Sequence, residues 1–233
     1  MRLRELRDLY LNQDIYIVGS GPTTNLFPMD FLWGKICLSL NDAYKMHPAI
    51  TPVALMHNQI YAHVNKSSSS PYHDHFKNIK YPIVKPQSRY RMEEIEWDHP
   101  YFYCFEKSEK IHDVWNLTKD TDCLYYTPEG CALHAALQIA WILGARNIFT
   151  IGCDSCTFVG KHYANFDKGG IGAIDYNRNY DAYVYGTLVV QEFLSSQGVN
   201  VFNLSPIVGY HRVEDQFQVL SGNASHQALF SQP

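Results

Sequence analysis

The chain has 233 residues, 46% of them hydrophobic and 18% charged, with a formal net charge of −4. That length holds one large α/β domain with an elaboration, and the weakly acidic balance argues against a basic nucleic-acid surface. No apolar run approaches the ~20 residues of a membrane span and no signal peptide is visible, so a cytoplasmic protein is expected.

Leu3, Leu6, Leu9 and Tyr10 recur at helical spacing, so residues 3–11 are expected to form a helix against the sheet edge, with Arg2, Arg4 and Arg7 on its solvated face. Ile15-Tyr16-Ile17-Val18 is a short apolar run of the kind buried on both faces of a parallel sheet. It enters the turn Gly19-Ser20-Gly21-Pro22, where glycine lets the backbone bend and approach a ligand. A helical turn near 26–32 leads to a second strand, 36–40, ending in Asn41-Asp42. A third strand, 52–56, ends in His57-Asn58. Polar clusters at successive strand ends would line one edge, where ligands of open α/β sheets bind.

Ser67 to Ser70 marks a loop. Tyr81-Pro82-Ile83-Val84 reads as a strand, but 86–122 lacks a clear period, so 66–126 is read as an irregular insertion with short strands. Thr127 as N-cap, Pro128 at N1 and Glu129 in the first turn predict a helix start, and the apolar run 131–143 is expected to continue it to a stop at Gly144. Residues 147–151 form the next strand and deliver Asp154; 155–180 is a glycine- and tyrosine-rich lid loop; 180–197 is a helix and 199–204 the last strand. Strands alternating with helices of this length predict a Rossmann-like, doubly wound, mostly parallel sheet with helices on both faces, in a single domain spanning 1–233.

The six cysteines are scattered through apolar segments and read as reduced thiols. Cys153 and Cys156 form a CxxC without a second pair at zinc spacing, and His73-Asp74-His75 sits beside the serine run, so no metal site is assigned. NAD-type dinucleotide binding is disfavoured. Asp42 falls near the place of a ribose-binding acid, but Thr24 stands where the third glycine belongs and Pro22 removes an N–H that a pyrophosphate would use. The helix start near Gly130 is the better anion site. Asp154 is a candidate for ribose, metal or acceptor contact; His162 and Tyr163 in the lid are candidates for base and phosphate contact.

Ile-Tyr-Ile-Val-Gly-Ser-Gly-Pro-Thr (15–23), Ser-Leu-Asn-Asp (39–42), His-Asn (57–58), the run from Gly130 to Ala145, and Ile-Gly-Cys-Asp (151–154) together resemble the superfamily of the 6-hydroxymethylpterin diphosphokinase-like proteins. The motility accessory factor glycosyltransferases and the bacterial sialyltransferases of glycosyltransferase family 42 belong to it. The resemblance implies that Ser20, Asn41 and Asn58 contact nucleotide and sugar, that Thr127 and Gly130 meet cytidine or phosphate, and that Tyr163 binds phosphate. Two departures stand out. Ser20 replaces an asparagine of the first turn, and Tyr180, Asp181 and Tyr183 occupy the region of the family's general-base histidine. Asp181 or His162 would then be the base.

The reading is a nucleotide-dependent transferase, foremost a sialyltransferase-like glycosyltransferase. Its catalytic candidates are His162, Asp181 and Asp154. Its donor-binding candidates are Gly19, Ser20, Gly21, Asn41, Asp42, Asn58, Thr127, Gly130, Tyr163 and Tyr180. A nucleotide-sugar donor and a small-molecule or glycan acceptor are expected, with homo-oligomerisation left open. The alternatives are an ATP-dependent diphosphokinase, for which Mg²⁺ would be held by Asp154 and Asp42, and a nucleotide-binding protein without catalysis.

Overall fold

The structure is a computed structural model that describes residues 2–57, 77–85, 103–104, 111–125, 131–154 and 177–205, with backbone alone at 57, 85, 103–104 and 177–181. The strands are β1 (Asp14–Val18), β2 (Ile36–Leu40), β3 (Pro52–His57), β4 (Tyr81–Lys85), β5 (Tyr103–Cys104), β6 (Asn147–Ile151) and β7 (Asn200–Asn203). They make one sheet in the order β5-β4-β3-β2-β1-β6-β7, and every pairing is parallel. The region expected to be an irregular insertion therefore contributes two strands, β4 and β5, to the same sheet. The order reverses at β1, which has β2 on one side and β6 on the other. That reversal leaves a crevice at the carboxyl ends of β1 and β6.

Alternation along each strand divides the core in two. Ile15, Ile17, Leu38, Val53 and Ile148 face the helices α1 (Ala132–Ile142) and α2 (Asn177–Ser196), whose Val190, Phe193 and Leu194 join the same cluster. Tyr16, Val18 and Cys37 face the other way, under short 3₁₀ turns that supply Leu32 and Ala43. On that face Tyr16, Phe149 and Phe202 stack across β1, β6 and β7, with centroids 4.9 and 5.2 Å apart. Helices thus cover both faces, α-helices on one and 3₁₀ turns on the other. No helix among the described residues is long and apolar enough to cross a membrane.

α1 is buried from Leu133 through Ile142, as its nearly all-apolar sequence predicts. It ends in a Schellman turn at Gly144 (φ +94°), with Ala145 N–H donating to Ala140 O (3.0 Å) and Gly144 N–H to Trp141 O (2.9 Å). The remaining terminal carbonyls are met from an unexpected direction. Asp8, Tyr10 and Asn12 donate their N–H groups to Ile142, Leu143 and Gly144 at 2.7–2.8 Å. Residues 3–11 are consequently not a single helix. Only Leu3–Leu6 form a 3₁₀ turn, and Asp8 and Asn12 take left-handed φ values of 55° and 59°. The helix end needs donors, and an open chain supplies them where a helix would have used its own N–H groups internally.

The start of α1 also differs from expectation. Cys131 is extended (φ −94°, ψ 165°), so α1 begins at Ala132; Thr127, Pro128 and Glu129, expected to start the helix, lie outside the described residues.

Candidate functional site

The carboxyl end of β1 is knotted to the carboxyl end of β6. Gly19 N–H donates to Ile151 O (2.7 Å) and Gly21 N–H to Gly152 O (2.8 Å), which extends the strand pairing past both strands. Thr23 then closes on Asp154: its N–H donates to Oδ2 at 2.8 Å and its hydroxyl to Oδ1. Thr24 Oγ1 donates to Gly21 O (2.7 Å), and Ser205 Oγ, just past β7, accepts from Gly152 N–H (2.7 Å). A Cβ at Gly21 would stand 2.5 Å from both Gly152 O and Asp154 Oδ2, so the close approach of these two strand ends is what the turn glycines permit.

This alters the meaning of the glycine turn. The amides of Gly19 and Gly21, which would have served a phosphate, are already donated to Ile151 at the end of β6 and to Gly152 just past it. Asp154 is 2% exposed, and burial raises its carboxyl above the usual carboxylate range, against the pull of its hydrogen bonds from Thr23 and Ser205. It braces the turn. Gly19, Gly21 and Asp154 are thus brought together as expected, but as one wall of the crevice.

β2 contributes Asn41 and Asp42. Asn41 adopts φ +51°, a left-handed conformation that asparagine tolerates better than most residues. The Asp42 carboxylate is taken by Lys45 at 2.8 Å. Because β1 lies between β2 and β6, Asp42 and Asp154 belong to strand ends about 10 Å apart. Among the described residues no group of three or more His, Cys, Asp or Glu converges on a metal position.

α1 supplies the other wall. It leads into β6 by a four-residue connection, so it runs antiparallel to the sheet and points its amino end at the carboxyl edge. Cys131 packs against the core cluster that includes buried Cys153 just past β6, whose thiol is pushed up mainly by burial. Cys131 makes no side-chain capping bond and the first turn carries no acid. The positive end of the helix dipole therefore faces the crevice without a protein carboxylate of its own first turn to complement it.

No family model matches the sequence, and no curated protein matches it. The fold does have relatives among solved structures. The sialyltransferase CstII from Campylobacter jejuni, in complex with the substrate analogue CMP-3FNeuAc, aligns over 86% of this chain and 84% of its own, at 10% identity and a TM-score of 0.51. The sialyltransferase CST-II with a trisaccharide acceptor and CMP aligns over the same shares at 13% identity and a TM-score of 0.50. The MAf glycosyltransferase from Magnetospirillum magneticum AMB-1 aligns over 85% of this chain and 32% of its own, at 11% identity and a TM-score of 0.50. The chain shares the fold of these glycosyltransferases.

Tyr180 and Asp181 lie in the amino-terminal part of α2. Asn58, Thr127, Gly130, His162 and Tyr163 lie outside the described residues. Sequence reasoning missed Thr23 and Ser205, which hold the Asp154 and Gly152 end of the crevice. The Thr-Thr pair after Gly21-Pro22 is the one local sign of such a knot, since threonine hydroxyls favour bonds to nearby backbone.

Proposed function

We propose that the chain is a glycosyltransferase that takes a nucleotide-sugar donor across the carboxyl ends of β1, β2 and β6. The observation that carries the reading is the direction of α1, whose acid-free first turn points at the carboxyl ends of β1 and β6, a place where backbone N–H groups would meet a donor phosphate. The shared fold of the sialyltransferases supports it. The left-handed Asn41 fits the same reading, because backbone strain gathers at ligand sites.

In the proposed reaction the acceptor hydroxyl oxygen bonds to the anomeric carbon of the sugar. The bond from that carbon to the phosphate oxygen breaks, and the nucleotide leaves with the electron pair. Asp181 or His162 takes the hydroxyl proton. Helix N–H groups, with Tyr163 and Tyr180, stabilise the leaving phosphate, while Ser20, Asn41, Asn58, Thr127 and Gly130 hold nucleotide and sugar. Catalysis of this kind is largely positioning and charge stabilisation. Asp154 acts by bracing the turn that walls the site.

Thermal unfolding with CMP, CMP-sialic acid, UDP-sugars and ATP, each with and without Mg²⁺, tests the proposal. A nucleotide-sugar at a hundredfold excess over Kd should raise Tm by about 5–10 °C. Donor hydrolysis should fall in Asp181→Asn or in His162→Ala, and the affected variant names the base. Stabilisation by ATP that requires Mg²⁺ supports the diphosphokinase instead. No response to any nucleotide overturns the site.

A further inference from the structure

Two polar side chains lie inside the most apolar helix of the molecule. His134 is 2% exposed and Gln138 is fully buried. One helical turn apart, they occupy a single stripe of α1. Burying an imidazole and a carboxamide is costly unless each finds partners, and here each holds the backbone of a different segment.

Gln138 grips Tyr125 at two points. Its Oε1 accepts from Tyr125 N–H (2.7 Å) and its Nε2 donates to Tyr125 O (3.3 Å), with a further bond to His134 O at 2.9 Å. His134 reaches the other way, its Nε2 lying 2.8 Å from Tyr183 O in α2. A carbonyl only accepts, so Nε2 carries the hydrogen. The same carbonyl accepts from Thr187 Oγ1 at 2.8 Å. α2 is shaped for the contact: a Cβ at Gly186 would stand 2.8 Å from His134 Nε2 and 2.9 Å from its Nδ1, so the ring is seated on a bare stretch of helix.

We propose that His134 and Gln138 are positioning residues, a buried ladder on α1 that fixes Tyr125 on one side and Tyr183 on the other and thereby sets the separation of two walls of the site. The proposal rests on the donor-site reading above. Tyr125 stands two residues before Thr127, and Tyr183 two residues after Asp181. Gln138 thus holds the last described residue before the stretch assigned to nucleotide, and His134 holds the part of α2 that carries Asp181, one of the two candidates for the base.

The two halves separate in kinetics. Gln138→Met, with its bond to Tyr125 gone, should weaken donor binding about tenfold with kcat little changed. His134→Leu should lower kcat about tenfold with donor affinity kept, each tenfold being ~1.4 kcal/mol. His134→Gln places an amide nitrogen where Nε2 was and should recover most of the turnover. His134→Asn is as polar but falls short of Tyr183, and should not; it also replaces the leucine variant if that one fails to fold. Variants that lose Tm alone, with Kd and kcat unmoved, overturn the proposal, as does a His134→Gln no better than His134→Asn. Hydrogen exchange gives a readout without substrate. Exchange should rise around Tyr125 in Gln138→Met and around Tyr183 in His134→Leu, each without the other. If the wild-type chain binds no nucleotide, the donor reading fails, while the exchange pattern still decides whether the ladder clamps both segments.

Discussion

Asp154 shows how much a single residue can change meaning between sequence and fold. An aspartate after a strand suggests a ligand contact, yet both its oxygens are occupied by Thr23. Asp154→Ala should cost about 1–3 kcal/mol in urea unfolding, the penalty for orphaning a buried donor. Asp154→Asn keeps the shape, and Thr23 can donate its N–H to the amide oxygen and accept from the amide nitrogen, so it should be tolerated. The pH dependence follows from the raised carboxyl pKa. The folded state holds the proton more tightly than the unfolded chain, so the contribution is complete below the unfolded value near ~3.9 and is lost as pH rises through the folded value. Wild type should therefore gain on Asp154→Asn as pH falls and lose ground toward neutrality. A Tm difference that is flat with pH contradicts this. At Asp42 the sequence supplied the position, and only the fold supplied Lys45 as its partner.

Elements were legible where their signals are local. Strand β2 occupies the residues that its apolar run predicts, 36–40, and α1 stops at Gly144, whose turn needs no distant partner. The amino-terminal segment was misread because its hydrogen bonds go to another element, the end of α1. Lys119 ties that segment down: its ammonium lies 2.6 Å from Asp8 Oδ1 and over the Trp141 ring at 5.8 Å. The hydrogen bond from Lys119 is the main cause that holds the Asp8 carboxyl below its ordinary value, with a smaller share from Arg7. Stability from this pair is present above the unfolded carboxylate pKa and is lost as pH falls through the folded one. Lys119→Met should therefore cost at most about 1 kcal/mol at pH 7, since both groups are partly exposed, and should converge on wild type in acid. Added salt should shrink the difference.

At the scale of the whole molecule, the amino terminus is part of the core. Leu3 and Leu6 are 0% and 2% exposed, and each contributes about 1.5–3 kcal/mol by burial. A chain lacking residues 1–12 would lose both, and the carbonyls of Ile142, Leu143 and Gly144 at the end of α1 would lose their donors. Against a total stability of about 5–15 kcal/mol, that deletion should abolish a sharp thermal transition. A truncated chain that still unfolds cooperatively near the wild-type Tm would show that the segment is dispensable. A mostly parallel sheet was readable from the alternation of strands and helices, because a parallel crossover must carry the chain back across the sheet, and every strand pairing is in fact parallel. The order of strands was not, and it is the order that sets β1 between β2 and β6.

The sequence by itself determined the pieces of this protein: apolar strands that end in polar clusters, and a buried central helix. Each follows from side-chain chemistry within a few residues. Only the tertiary structure decided what those pieces face. Whether Gly19 and Gly21 can offer their amides to a ligand depends on Ile151 and Gly152 at the end of β6, more than 120 residues away, whose carbonyls accept them. Whether the start of α1 can do so depends on the backbone at Cys131 and on the crossover that aims α1 at the carboxyl edge of the sheet. Hydrogen-bond donors are fixed by the sequence, but their partners are fixed by packing.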